Sequence, residues 1–241
     1  MPGARRIALL AAAAFAITLA GVFLGLLVRG PLSAWIDRDV DHPARSFSES
    51  HNNETAVSLS RRLDDLGEAR VTGAIAVVAG AVLWGRRRTP RPALLLASGF
   101  VGAAFITVVV KRAVSRQPAS GPIPGFSPGT FPSGHTLFAL TVYGCLAVLV
   151  LRSGAPALVR WATASVLLGI SVAIGLTRVY LLDHFLTDVL GSILLGITWV
   201  LVAAALIGDG GLPGRGGQRS GDAARHDGTV VSRAGESAPF E

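Results

Sequence analysis

Cysteine is almost missing from this chain: Cys145, inside an apolar run, is the single one among 241 residues. An internal disulfide is therefore excluded, and a buried, inert thiol is the default reading. Charge is scarce as well. Only 15% of the residues are Asp, Glu, Lys or Arg, against about 25% in a soluble domain. Half of the chain is apolar and the mean hydropathy is +0.54, which argues against a soluble fold. Acidic residues are the scarcer sign, 15 against 22 basic ones, and the net charge of +7 is carried almost wholly by arginine. A basic balance suits nucleic acid, anionic lipid or orientation in a membrane. The long apolar runs select membrane lipids, with no nucleic-acid partner. There is no internal repeat and no organelle signal.

Six apolar segments are candidates to span a bilayer, over 7–28, 71–85, 92–110, 136–151, 161–176 and 188–207. A span needs about twenty residues, so the second and fourth are expected to extend into their flanks. The first follows Arg5 and Arg6. Its apolar stretch is too long for a typical signal-peptide core and no clear cleavage site follows, so it reads as a retained helix. The expected fold is all-α, a six-transmembrane-helix bundle. Its expected parts are an N-terminal span over 1–28, an outer loop over 29–70, a core over 71–207 and a tail over 208–241. Arg86 to Arg88, Arg91, Arg152 and Arg160 occupy two short loops, and the positive-inside rule places these in the cytoplasm. Both termini then lie in the cytoplasm, and the loops 111–135 and 177–187 lie outside. Every chemically suggestive residue falls on that one outer face. The Ala/Arg-rich composition points to a bacterial inner membrane.

In the outer loop, residues 56–66 have apolar groups at helical spacing. They read as a helix on the membrane surface or as a solvated linker helix. Asn53-Glu54-Thr55 fits a glycosylation acceptor, a pattern common by chance. His42 and His51 lack the further Cys or His that a metal site needs. The Gly-rich tail from Gly208 is expected to be disordered, with His226 idle. The Gly- and Pro-rich loop 118–132 could fold over a site mouth.

Ionisable groups beside apolar spans usually have a function. His184 and Asp188 are four residues apart. On one helical face, Asp188 would accept a hydrogen bond from one ring nitrogen of His184 and leave the other as a nucleophile or base. A His–Asp pair that only ties down a loop fits as well. Asp183 is expected to be a solvated loop acid. Pro132-Ser133-Gly134-His135 opens the fourth span. Amides at a helix start bind anions, Gly134 permits close approach, Ser133 can donate to an oxygen, and His135 stands ready as a general acid. An ordinary helix start capped by Ser133 explains only part of the string. Lys111, Arg112, Arg116 and Arg178 run against the positive-inside bias on the outer side. They suit a phosphoryl group, although Arg112 could instead snorkel to lipid headgroups.

Together these residues resemble the type-2 phosphatidic acid phosphatase superfamily, which shares its core with vanadium haloperoxidases and glucose-6-phosphatase. Its second motif, Pro-Ser-Gly-His, stands unaltered at 132–135. Its third motif matches as Arg178, His184 and Asp188, with Thr177 in place of Ser. The resemblance covers roughly 60–207. Its first motif is Lys, six residues, then Arg-Pro. Lys111 is in place, but Pro118 and Ala119 replace the Arg-Pro, and Arg116 lies two residues early. Either Arg116 takes over the phosphate contact or one contact is missing, a loss of about 2–4 kcal/mol of transition-state stabilisation.

The resemblance implies a haloperoxidase-like core and a phosphohistidine mechanism. His184 attacks phosphorus, Asp188 orients it and His135 protonates the leaving group. Lys111, Arg116, Arg178, Ser133 and Gly134 hold the phosphoryl oxygens. No cofactor or metal is required, and the motifs offer no carboxylate cluster suited to magnesium. The expected function is an integral-membrane lipid phosphatase acting on an isoprenyl diphosphate such as undecaprenyl diphosphate, on phosphatidic acid or on phosphatidylglycerophosphate. The alternatives are a lipid phosphotransferase of the same family, and a non-catalytic anion- or lipid-binding or transport protein.

Overall fold

The computed structural model describes residues 3–118 and 129–207. Six long apolar helices dominate it: α1 (Gly3–Arg29), α5 (Ala69–Arg87), α6 (Arg91–Val114), α7 (Gly134–Leu151), α8 (Ala157–Tyr180) and α9 (Leu186–Ile207). Each is long and apolar enough to cross a bilayer. Hydrocarbon offers no partner to backbone N–H and C=O groups, so a run that crosses it closes its hydrogen bonds internally as a helix. The two short apolar runs do extend, to 19 residues in α5 and 18 in α7. At about 1.5 Å per residue even α7 reaches roughly 27 Å.

The connector after α1 departs from the expected loop. It is helical through most of its length: α2 (Ser33–Ile36), a π-helical turn Asp37–Asp41, α3 (His42–Ser50) and α4 (Glu54–Asp65). Asn53 starts α4 as its N-cap, its side-chain oxygen accepting from the Ala56 amide at 2.9 Å. The side chain of the glycosylation-like triplet thus has a local structural use. α4 packs against α8, and Tyr143 of α7 donates to the Leu66 carbonyl at 2.8 Å. The helix expected over 56–66 forms as α4 and is fastened to the bundle. Gly67 permits this close approach. A Cβ there would stand 2.6 Å from Ile174 and 3.1 Å from the Cβ of His135.

α7 is the central span and packs against α5, α6, α8 and α9, while α1 lies against α6 and α9. Leu95, Leu96, Val142 and Ile174 anchor one core cluster. Ile106, Val110, Phe131 and Trp199 anchor a second. The outward faces carry exposed Phe15, Phe23, Val77, Leu158 and Leu201, as lipid-facing surfaces do. Arg86 and Arg87 close α5, whose C-cap Arg88 adopts φ 54°. These cations complement the negative end of the helix.

Helix polarity gathers the suggestive residues at one end of the bundle. α6 and α8 finish there, and α7 and α9 begin there. Arg29 at the end of α1 donates to the Val114 carbonyl at 2.5 Å. Arg86 to Arg91 and Arg152 to Arg160 lie at the opposite end. The tail 208–241 and most of the loop 118–132, namely 119–128, lie outside the described residues.

Candidate active site

His184 and Asp188 meet, but not as two residues of one helix. α9 begins at Leu186, so His184 stands in the preceding turn, where its amide donates to the Arg178 carbonyl at 3.2 Å. Leu182, at φ 59°, bends the chain there. The His184 Nδ1 comes to 3.3 Å from Asp188 Oδ2. The same oxygen accepts from the Phe185 amide at 3.2 Å. Asp188 is fully buried and His184 nearly so. Burial pushes the His184 imidazole below its ordinary range. The hydrogen bond and charge of Asp188 oppose that shift, while the charges of Lys111 and Arg178 add to it. Burial thus favours the neutral imidazole, with Nδ1 facing Asp188 and Nε2 left over.

In front of His184 lies a cavity of about 320 Å³. α6 contributes Thr107, Val108, Lys111 and Arg112 to its wall, α7 contributes Gly134 and His135, and α8 contributes Arg178. Thr107 and Lys111 are one helical turn apart and so share a face. Among the described residues the Thr107 hydroxyl is buried without a hydrogen-bond partner, and the Lys111 ammonium makes no hydrogen bond or ion pair. A Cβ on Gly134 would meet nothing closer than 3.6 Å. The protein itself leaves that space, so the start of α7 is open to a ligand approaching its amides. Three cations, an unsatisfied hydroxyl and a helix N-terminus on one wall suit a phosphate-sized anion.

Arg112 was the candidate for snorkelling to lipid, and it lies on the cavity wall. Two other expected phosphate contacts do not. Ser133 is fully buried, with its hydroxyl accepting from Thr136 at 3.0 Å and its carbonyl accepting from Ser192 at 3.0 Å. It ties α7 to α9 and does not cap α7 with its side chain. Arg116 is turned away from the cavity and bonded to Asp188 and Asp41. The cause is local: Ser115 takes a left-handed conformation, φ 48°, that ends α6 and leads the next residue off the helix.

Asp64 is a site residue with no motif to announce it. It reaches the site from the end of α4. Its Oδ2 pairs with Arg178 Nη1 at 2.5 Å and lies 3.8 Å from His135 Nε2. Only the amphipathic pattern of 56–66 hinted that the connector had a structured role. Asp183, expected to be solvated, also pairs with Arg178, at 3.2 Å.

The fold and the cavity define an integral-membrane helical protein with a cationic site containing two histidines at one end of its spans. The model of the PAP2 superfamily matches residues 92–210, just under half of the chain, and over that stretch, which includes Lys111, His135, Arg178, His184 and Asp188, the chain is similar to that superfamily. Phosphatidylglycerophosphatase B of Bacillus subtilis is 32% identical over 135 residues, which cover 55% of this chain and 66% of that relative, just under two thirds of its length. The fold is also that of a crystal structure of a transmembrane PAP2-type phosphatidylglycerolphosphate phosphatase from Bacillus subtilis. That match has a TM-score of 0.66 at 23% identity, and covers 80% of this chain and 94% of the other.

Proposed function

We propose that the protein is an integral-membrane lipid phosphatase that works through a phosphohistidine. One observation carries the reading: Nδ1 of a buried His184 is engaged by Asp188, and its ring lines a cavity with Lys111, Arg112 and Arg178. A lipid phosphate enters with its oxygens against these cations, the Thr107 hydroxyl and the first amides of α7. His184 Nε2 attacks phosphorus as the bond to the lipid oxygen breaks, and His135 gives that oxygen a proton. Asp188 stabilises the cationic phosphoimidazole. Water then attacks phosphorus, His135 takes its proton, and inorganic phosphate leaves with His184 restored. The cations neutralise charge that shifts onto the phosphoryl oxygens in both steps.

The step needs no metal. The nearby carboxylates Asp64 and Asp188 each pair with an arginine, unlike the free oxygen cluster that magnesium takes. The substrate class is a lipid phosphomonoester or diphosphate. Phosphatidylglycerophosphate is favoured because the relatives are phosphatidylglycerophosphate phosphatases. Isoprenyl diphosphate and phosphatidic acid are the alternatives to test. The arginine-rich end of the bundle faces the cytoplasm of a bacterium by the positive-inside rule. The site then opens at the outer face of the inner membrane.

The test is phosphate release by the detergent-solubilised protein, with EDTA present, from each of these lipids. Release by wild type and not by His184→Ala is the expected result. Equal release by both would overturn the nucleophile assignment, and loss of wild-type activity in EDTA would overturn the metal-free step.

A further inference from the structure

We propose that Arg116 and Asp41 are positioning residues behind the His184–Asp188 pair, with Arg116 clamping Asp188 and Asp41 anchoring Arg116. The kinetic arm of this idea rests on the phosphatase reading above; the structural arm does not.

Both terminal nitrogens and one face of the Arg116 guanidinium are engaged. Nη1 donates to Asp188 Oδ1 at 2.6 Å and to Thr187 Oγ1 at 2.8 Å. Nη2 donates to Asp41 Oδ2 at 2.8 Å. The Phe185 ring lies 4.0 Å from its central carbon, a cation–π contact. Its side chain is only 11% exposed, and both carboxylates are fully buried.

Asp188 is thereby held at both oxygens. Oδ1 takes Arg116, while Oδ2 takes the Phe185 amide and faces His184 Nδ1. A carboxylate bonded on both sides cannot rotate away from the imidazole, so the orientation of His184 depends on Arg116. Asp41 has its own anchors. It accepts from the Thr187 amide at 3.0 Å and from the Thr187 hydroxyl at 2.8 Å. Asp41 belongs to the π-helical turn of the connector. The network therefore ties three separate segments, the connector, the end of α6 and the start of α9, to one catalytic histidine.

Two buried carboxylates share one guanidinium, so the two substitutions should act in opposite directions. Without Arg116, Asp188 faces His184 as an uncompensated anion and favours the imidazolium. Without the Asp41 charge, Arg116 is left wholly to Asp188 and the imidazolium loses support. The other groups facing His184 are Lys111 from α6, His135 from α7 and Arg178 from α8. Neither substitution alters them.

The experiment follows the His184 ring by NMR in the full-length, detergent-solubilised, isotope-labelled protein, with His184→Gln to assign its signals. Arg116→Gln is expected to raise the midpoint of the His184 titration by about one pH unit and Asp41→Asn to lower it, as one charge beside an ionisable group does. Arg116→Lys should stay near wild type. In the kinetic arm, Arg116→Gln should lower kcat by about 10–100-fold with KM within about twofold, the mark of a group acting on the transition state and not on ground-state binding. A tenfold rise in KM with an unmoved midpoint would make Arg116 a phosphate ligand and overturn the proposal. So would midpoints that shift in the same direction in both variants, or in neither, since a purely structural network predicts no opposed shifts. If Arg116→Gln does not fold, Asp41→Asn decides: a lowered His184 midpoint supports the proposal, and an unmoved or raised one overturns it. Failure of wild type to release phosphate would remove the phosphatase reading and leave the titration arm intact.

Discussion

Asp64 at the end of α4 grips Arg178 at the end of α8, 2.5 Å from carboxylate oxygen to guanidinium nitrogen. The two residues are 114 positions apart in the chain. The same oxygen is 3.8 Å from His135, so one acid of the connector faces both the proposed phosphate-binding cation and the proposed general acid. The other Asp64 oxygen is buried without a hydrogen-bond partner among the described residues.

Removing that acid should therefore matter twice. Asp64→Asn keeps the shape and, among the described residues, leaves Arg178 with the half-exposed Asp183 as its carboxylate partner. We expect kcat/KM to fall by about tenfold and the melting temperature to drop by a few degrees, the usual consequence of breaking a buried pair from one side. Full activity in a steady-state assay would place Asp64 outside the working site.

His184→Ala should remove turnover, by about a factor of a thousand or more, because in the proposed mechanism His184 forms the covalent intermediate. The variant should stay folded by size-exclusion chromatography and thermal unfolding, since the ring faces a cavity. Turnover above a hundredth of wild type would transfer the nucleophile role elsewhere.

His135→Ala separates the acid from the nucleophile. A lipid alcohol leaves poorly without a proton, whereas nitrophenolate leaves well. Phosphate release should thus fall by about 100-fold with lipid and much less with nitrophenyl phosphate. An equal fall with both would argue against proton donation by His135.

The acid limb of the pH profile reports His184. Its pKa is depressed by burial, so it stays neutral, and nucleophilic, below the ordinary histidine value of about 6.5. Corrected for substrate ionisation, kcat/KM should hold as pH falls through 6.5 and decline only lower, through the depressed value. The same depression has a stability counterpart. The unfolded histidine takes up its proton first, so stability is full above about pH 6.5 and falls as pH drops below it. An acid limb centred at or above 6.5 would contradict the buried, neutral assignment.

The six spans were legible because a bilayer translates into sequence directly, as about twenty apolar residues per crossing. The grouping of motifs at one end was legible too, since helices of alternating direction bring every second boundary to the same face. His184 and Asp188 could be paired from spacing, although the turn that joins them is not the helix that the spacing suggested. Asp64, Asp41 and Thr107 were not legible. Each is an ordinary residue in its local context, and its meaning comes from what packs against it.

The chain by itself therefore determined the class of architecture, the end of the bundle that carries chemistry, and the residue types available there. Hydropathy and motif spacing are local properties, and a linear sequence displays them. Only the tertiary structure decided which cations line the cavity and which serve behind it. Arg112 lines it, whereas Arg116 leaves α6 at Ser115 and is held by two buried carboxylates. A buried charge is stable only where its partners stand, and Asp41 is 75 positions from Arg116 along the chain.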